Sequence, residues 1–519
     1  MNTNLFQTLR GKMIPAAPAR NEAGGVAYAL SPKAALAQYA ATGCMNRTFY
    51  ATADEQMKAV LALAMTVEPA FVAKTSIYAR EQGYMKDMPA LLCAVLASRD
   101  RELLKATFPR VMDNGRMVRN FVQIIRSGVT GRKSLGTLPK RLVRDWIAAR
   151  TDEQLFADSV GQTPSLADII RMVHPHPVNP EREALYGYLI GQPHNAELLP
   201  PQVRAYEAFK LGHTKTAPNV PFQMLTALDL RKDDWIEIAR TAPWHMTRMN
   251  LNTFARHGVF DNREVTRAVA NRLANAELVR KARVFPYQLL AAYMTATNVP
   301  EIVRNALQDA MEIATANVPR IDGKVYIFPD VSGSMQSPVT GHRAGATTAV
   351  RCIDVAALVA ASIMRRNGDA EVLPFGTTIC PVPINPRDSI MTNAQKLAAI
   401  NGGGTNCSAP LAELNRRNAK GDLIVYVSDN ESWMDPSRGR GTATMAEWAK
   451  FSQRNPQARL VCIDIQPYAT TQVAEREDIL NVGGFSDQVF SLVARFAEGK
   501  LSGDHWVGEI EAVQFRKQI

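Results

Sequence analysis

The amino-acid sequence predicts an all-α domain of stacked helix pairs over residues 1–320, then an α/β doubly wound domain over residues 321–519. Three observations point there. Helical periodicity runs almost unbroken to about residue 320. Beyond Asp322, short apolar runs alternate with helical stretches, the signature of an open parallel sheet with helices on both faces. The charge divides at the same place. The 519 residues carry 60 Lys and Arg against 49 Asp and Glu, a net of +11, yet residues 321–519 hold 20 basic and 21 acidic residues. All the excess positive charge therefore lies in the first part, which predicts a polyanionic partner for that part alone. A composition of 46% hydrophobic and 21% charged residues excludes disorder as the main state.

In the first part, Thr52 with Glu55 and Thr151 with Gln154 have capping-box spacing, in which side chain and backbone satisfy each other's free amides. Behind the first box, Met57, Val60, Leu61, Ala64 and Met65 recur as one buried helical stripe. Similar stripes follow at 90–97, 166–173, 235–239 and 289–294, joined by short loops rich in Pro, Gly and Asn. No fixed period is clean, so the expectation is a solenoid of irregular, HEAT-like units, helical throughout. In the second part the expected order begins with a strand at 325–328 and a helix at 350–364. A strand at 371–375 and helices near 394–400 and 410–415 come next. A strand at 423–427, a helix at 445–453 and a strand at 459–463 complete it.

Cys44, Cys93, Cys352, Cys380, Cys407 and Cys462 form no C-x-x-C pair. They read as reduced, small apolar residues of a cytoplasmic protein. The start, MNTNLFQTLRGK, lacks the apolar stretch of a secretory signal, and no run reaches the length of a membrane span.

The run Val325–Phe328 leads straight into Asp330-Val331-Ser332-Gly333-Ser334. This D-x-S-x-S spacing puts one carboxylate and two hydroxyls on a tight loop. Two later loops carry Gly402-Gly403-Gly404-Thr405 and Ser428-Asp429-Asn430. Asp330, Ser332, Ser334, Thr405 and Asp429 are hard oxygen donors suited to Mg²⁺ or another divalent cation. Together they resemble the metal-ion-dependent adhesion site of von Willebrand factor A domains. An Asp/Ser turn explains the first loop taken alone, and a metal held only for stability remains an alternative to one that engages a partner. A hydrolytic centre is disfavoured, because two carboxylates without His provide no acid–base pair, so a non-enzymatic protein is expected.

In the basic part, Arg132, Lys133, Lys140, Arg141 and Arg144 cluster. Lys140 and Arg144 are four residues apart and share a helix face. Further on, Asp168–Pro177 closes an apolar helix with Arg171, His174 and His176. His174 at a helix end can stack on a base or donate to phosphate. A solvated face and a capping His are the plainer readings.

The whole chain resembles the TROVE-domain family, the Ro ribonucleoprotein autoantigens and their bacterial relatives. The matching segments are Gly25–Leu30, Arg47–Tyr50, Gly131–Gly136, Lys140–Trp146, Ile170–His174, Trp244–Asn252, Lys281–Pro286, the adhesion-site motif, Gly403–Ser408 and Ser428–Glu431. The resemblance implies a ring of HEAT-like helices closed by the A domain, and a monomer. It implies binding of Y-like small RNAs on a basic outer face, with His174 at a position associated with that RNA. It also implies capture of the 3′ ends of misfolded or immature RNAs through a central hole. RNA maturation alongside a 3′-to-5′ exoribonuclease such as polynucleotide phosphorylase would follow. The segment 156–162 lacks the basic residues that vertebrate members place there, which shifts the expected RNA contacts toward Arg132, Lys133, Lys140, Arg141 and Arg144. The alternative is a metal-dependent protein-interaction module, with a MoxR-type ATPase or an acidic side chain as partner and the basic charge incidental.

Overall fold

The computed structural model describes residues 14–42, 46–284, 286–315, 318, 320–339, 350–435, 441–466, 468–484, 487–501 and 505–515. Cys44 and Phe285, both singled out in the sequence, lie outside the described residues, as do the first thirteen residues. Two compact units form. One gathers residues 1–67, 283–291 and 311–513, and the other residues 68–282, 292–310 and 514–519.

The first unit is built on five parallel strands: β3 (Val325–Pro329), β4 (Glu371–Val372), β5 (Leu423–Ser428), β6 (Arg459–Asp464) and β8 (Ile479–Gly483). Their order across the sheet is β4-β3-β5-β6-β8. The chain thus turns outward in opposite directions from β3, and the carboxyl ends of β3 and β5 form the switch point where such sheets bind ligands. Side chains alternate between the faces. Tyr326, Phe328, Ile424, Tyr426, Leu460 and Cys462 join one core with Trp448, Phe451 and Leu411 from the helices Ala443–Arg454 and Ala409–Arg416. The opposite face packs against Cys352–Arg366, whose residues 352–364 are all buried.

Three expectations need correction here. The stretch before residue 320 is not helical throughout. Strands β1 (Ala19–Arg20) and β2 (Val26–Ala29) make a hairpin, and β2 pairs antiparallel with β7 (Thr470–Thr471). Strands of two and four residues show no alternation, and the partner that holds them lies some 440 residues away. Next, the strand expected at 371–375 is regular only over Glu371–Val372. Pro374 cannot donate, and the path continues through a lone bridge between Asp330 and Phe375. Finally, the stripe behind Thr52 is shifted. The helix Ala53–Thr66 does carry its capping box, but it buries Gln56, Val60 and Ala64, and Met65 is 58% exposed. Strand β8 and the helices Asp487–Ala497 and His505–Glu511 extend the unit beyond the expected elements.

The hairpin is fastened to the sheet's carboxyl end. Asn21 Nδ2 donates to the Ser432 carbonyl at 2.7 Å, and the Ala23 amide donates to Glu431 Oε2 at 3.0 Å. Tyr28 enters the sheet core. Gly25 leaves no room for a side chain, since a Cβ there would lie 1.9 Å from the Ser432 carbonyl oxygen.

The second unit is a two-layer stack. The helix Pro69–Glu81 packs on both Asp87–Arg99 and Arg101–Val111, and Asp87–Arg99 packs on Gly115–Arg126. Contact with the next helix and the next but one is the packing of a solenoid. Strong amphipathic patterning explains it: Met117, Val118, Phe121, Val122 and Ile125 are buried along one face of Gly115–Arg126. The stripe at 90–97 is wholly buried. Among the described residues, no helix is long and apolar enough to cross a membrane.

Replacing Gly25 should break the hairpin's contact with the Glu431-Ser432 loop. Gly25→Ala is expected to cost about 1–3 kcal/mol, lowering Tm by roughly 2–10 °C in calorimetry. Gly368→Ala, where a Cβ meets nothing within 4 Å, should leave Tm unchanged within about 1–2 °C.

Candidate functional site

Strand β3 ends at Pro329 and delivers Asp330 into a tight loop, while β5 ends at Ser428 and delivers Asp429 beside it. The loop is locked by backbone bonds to every neighbour. The Asp330 amide donates to Val427 O (2.9 Å), Val331 N to Phe375 O (2.8 Å) and Gly333 N to Gly403 O (2.7 Å). Gly402 N returns a bond to Val331 O at 2.9 Å. This close approach explains the glycine run: a Cβ on Gly402 would lie 2.9 Å from the Val331 carbonyl oxygen, and Gly403 has φ +75°.

The structure places the five residues expected as metal ligands on three adjoining loops. Asp330, Ser332, Ser334, Thr405 and Asp429 are all buried at 5% exposure or less. Asp330 Oδ1 accepts the Ser332 amide at 2.8 Å, and Oδ2 accepts the Ser428 hydroxyl at 2.6 Å. The Ser332 and Ser334 hydroxyl oxygens are 3.3 Å apart. Two further carboxylates stand close by. Glu431 is fully buried, and its Oε1 has no hydrogen-bond partner among the described residues. Asp464, at the end of β6, accepts from Gln38 Nε2 at 2.7 Å and from Asn430 Nδ2.

No Lys or Arg among the described residues forms an ion pair with any of these four carboxylates. Burial raises all four above the ordinary carboxylate range. The Asp429 charge raises Asp330, Glu431 and Asp464 further. Neutral donors cannot cancel this much buried charge, and a divalent cation can. Hard oxygen donors, uncompensated negative charge and an orphaned carboxylate oxygen all fit Mg²⁺ at this place.

In the helical unit, the structure joins two of the predicted basic segments. Arg144, on the helix Thr137–Ala148, donates through Nε to the Val173 carbonyl at 3.0 Å. This fastens the basic helix next to His174, which caps Leu166–Val173 in the left-handed conformation at φ +50° and is exposed. Arg132 has a different role: its guanidinium donates to Ala97 O at 2.5 Å and Leu135 O at 3.1 Å, holding the 131–136 loop. Arg171 donates to the Ile190 carbonyl and lies 3.6 Å from Asp168. Lys133, Arg141 and His174 are exposed and Lys140 is half-buried, and none of their four side chains makes a hydrogen bond or ion pair among the described residues.

Comparison with known proteins finds matches in both parts of the chain. The family model for the Ro60 vWA domain matches residues 324–497, and that for the TROVE domain matches residues 235–318. Both matched segments resemble the TROVE-domain Ro family. It is 24% identical to the RNA-binding protein RO60 of Deinococcus radiodurans, over 93% of this chain and 96% of that one. It is also 24% identical to the RNA-binding protein RO60 of Caenorhabditis elegans, over 49% of this chain and 40% of that one. The crystal structure of the Deinococcus radiodurans RO (RSR) protein matches with a TM-score of 0.60 at 21% identity, covering 91% of this chain and all of that one.

Two family segments near the amino terminus acquire a physical meaning. Gly25 lies against Ser432, and the turn at Thr48–Ala51 brings the Tyr50 hydroxyl beside Ser334 and Asp429. Sequence reasoning missed Glu431 and Asp464 as members of the carboxylate cluster. Asp464 had a signal, a lone carboxylate straight after an apolar strand. It also missed a cleft of about 730 Å³ lined by Gln123, Arg126, Ser127, Thr163, Ser165 and Asp168, beside the helix that His174 caps.

The charge argument predicts a reversal of stability order. In EDTA, Asp330→Asn should melt higher than wild type, because it removes an uncompensated buried charge. In excess Mg²⁺ wild type should gain about 2.7 kcal/mol at a hundredfold excess over Kd, and the variant should gain nothing. Thermal melts with and without Mg²⁺ measure both.

Proposed function

We propose that this protein is the RNA-binding scaffold of a Ro-type ribonucleoprotein. The observation that carries the reading is the convergence of uncommitted cations. Lys140 and Arg141 stand on a helix that Arg144 ties directly to the His174 turn, with Lys133 on the preceding loop. They lie in the half of the chain that holds all its excess positive charge. Phosphate contacts would supply most of the affinity, and His174, exposed on a rigid turn, would stack on a base or donate to a phosphate. Arg132 and Arg171 act chiefly as internal ties. Both relatives named above are called RNA-binding proteins, which supports the class.

The clients we infer are small structured, Y-like RNAs on this face and the unpaired 3′ ends of misfolded or immature RNAs. The role is RNA quality control and maturation in the cytoplasm, alongside a 3′-to-5′ exoribonuclease such as polynucleotide phosphorylase. No catalytic step is assigned to the scaffold. Mg²⁺ would be held by Asp330, Ser332, Ser334, Thr405 and Asp429, where it supplies an electrophilic position for an incoming oxygen ligand. The carboxylate cluster also favours a second activity, metal-dependent capture of a protein.

Binding of a fluorescein-labelled stem-loop RNA, followed by anisotropy across a salt series, tests the reading. Lys140→Glu with Arg141→Glu should weaken binding of any RNA and flatten the slope of log K against log salt by about 2. His174→Ser should weaken the stem-loop by about 1–3 kcal/mol and leave the slope nearly unchanged. Unaltered affinity in both folded variants would place the RNA elsewhere.

A further inference from the structure

The mouth of the metal centre is unusually apolar. Ten large hydrophobic side chains are exposed among the described residues, and three of them, Phe49, Trp433 and Met434, belong to segments that form this site. Trp433 is 50% exposed and Met434 39% exposed. Both are fixed to the ligand loop itself, since their amides donate to the Thr405 carbonyl at 3.2 and 3.0 Å. The Trp433 ring leans over Gly404: a Cβ there would meet Trp433 Cζ2 and Met434 Cγ at 2.9 Å, so only glycine allows the shelf to lie so close. Phe49 is 54% exposed and contacts Tyr50 edge to face with ring centroids 4.7 Å apart. Tyr50 in turn lies beside Ser334.

Such a patch is costly to leave in water, and aromatic and Met side chains gathered at one mouth mark a docking surface. We propose that Trp433 and Met434 form a specificity shelf for a protein ligand that presents an Asp or Glu carboxylate to the cation and a large apolar side chain beside it. The inference rests on the metal reading given above. Charge decides for protein over RNA. Residues 321–519 carry a net charge of −1, and the loops around the site contribute four carboxylates that form no ion pair with a Lys or Arg among the described residues. A phosphate backbone needs several cations for its affinity, whereas a peptide brings one carboxylate and gains the rest from buried apolar area. Trp is the residue most often dominant at such contacts.

The test uses the full chain and a phage-displayed library of random dodecapeptides, selected in Mg²⁺ and eluted with EDTA. Eluted peptides should share Asp or Glu next to Phe, Trp or Leu. Trp433→Ser, a change at an exposed side chain, should weaken the best of them at least about tenfold while leaving Mg²⁺ affinity unchanged by calorimetry. Asp330→Ala should abolish both. Normal Mg²⁺ binding with no EDTA-eluted peptides, or with acidic peptides indifferent to Trp433→Ser, would overturn the shelf and leave the metal centre standing. Binding of a short single-stranded RNA that needs both Mg²⁺ and Trp433 would overturn it in favour of nucleic acid. Absence of Mg²⁺ binding in wild type would remove the metal reading, and the shelf with it.

Discussion

Four carboxylates held dry at the carboxyl ends of β3, β5 and β6 are the constraint on which the first unit depends. Each costs several kcal/mol to desolvate if it stays charged. The surrounding architecture supplies every neutral donor it can. Ser428 donates to Asp330, Gln38 and Asn430 to Asp464, and the Ala23 amide to Glu431. Two of these donors come from the first forty residues of the chain. The amino-terminal hairpin and the helix Pro32–Thr42 are therefore part of the wall of this carboxylate cluster. Their attachment to the sheet through β2 and β7 follows from the same requirement.

In the helical unit, several arginines serve as structural ties. Arg182 is buried and reaches Asp152 at 2.5 Å as well as the carbonyls of Ile147 and Arg150, joining successive helices. Arg80 pairs with Asp113, Arg110 with Glu81, and Arg272 holds the Ala239 carbonyl. The planar, multi-donor guanidinium suits this role, and Lys does not. Total charge therefore overstates what the surface offers to phosphate. Lys140 and Arg141, on the helix tied to the His174 turn, and Lys133 on the preceding loop have side chains with no partner among the described residues.

Much of the sheet was legible because strand and helix periods differ and each strand ends in a polar loop. Asp330, Ser332, Ser334, Thr405 and Asp429 could be singled out from spacing and from resemblance to the adhesion site, and the structure sets them on three loops joined by backbone bonds. The hairpin could not be seen: β1 and β2 are too short for a period, and their partner is remote in sequence. Met65 shows the opposite failure, since a helical stripe gives a face but not its centre. The roles of Arg132 and Arg171 were hidden for a related reason. Whether an arginine faces water or the carbonyl of another helix depends on packing that no local pattern records. Glu431 lay within a recognised motif, but that it forms no ion pair among the described residues becomes visible only when its neighbours are assembled.

The first unit depends on whether a cation neutralises the carboxylate cluster. Crystals of the full chain grown with Mn²⁺ in place of Mg²⁺ would show it directly by anomalous scattering. The expected result is one strong peak about 2.1 Å from the Ser332 and Ser334 hydroxyl oxygens, with Asp330 and Asp429 around it. A density map with no peak there, and with the four carboxylates still buried together, would contradict it.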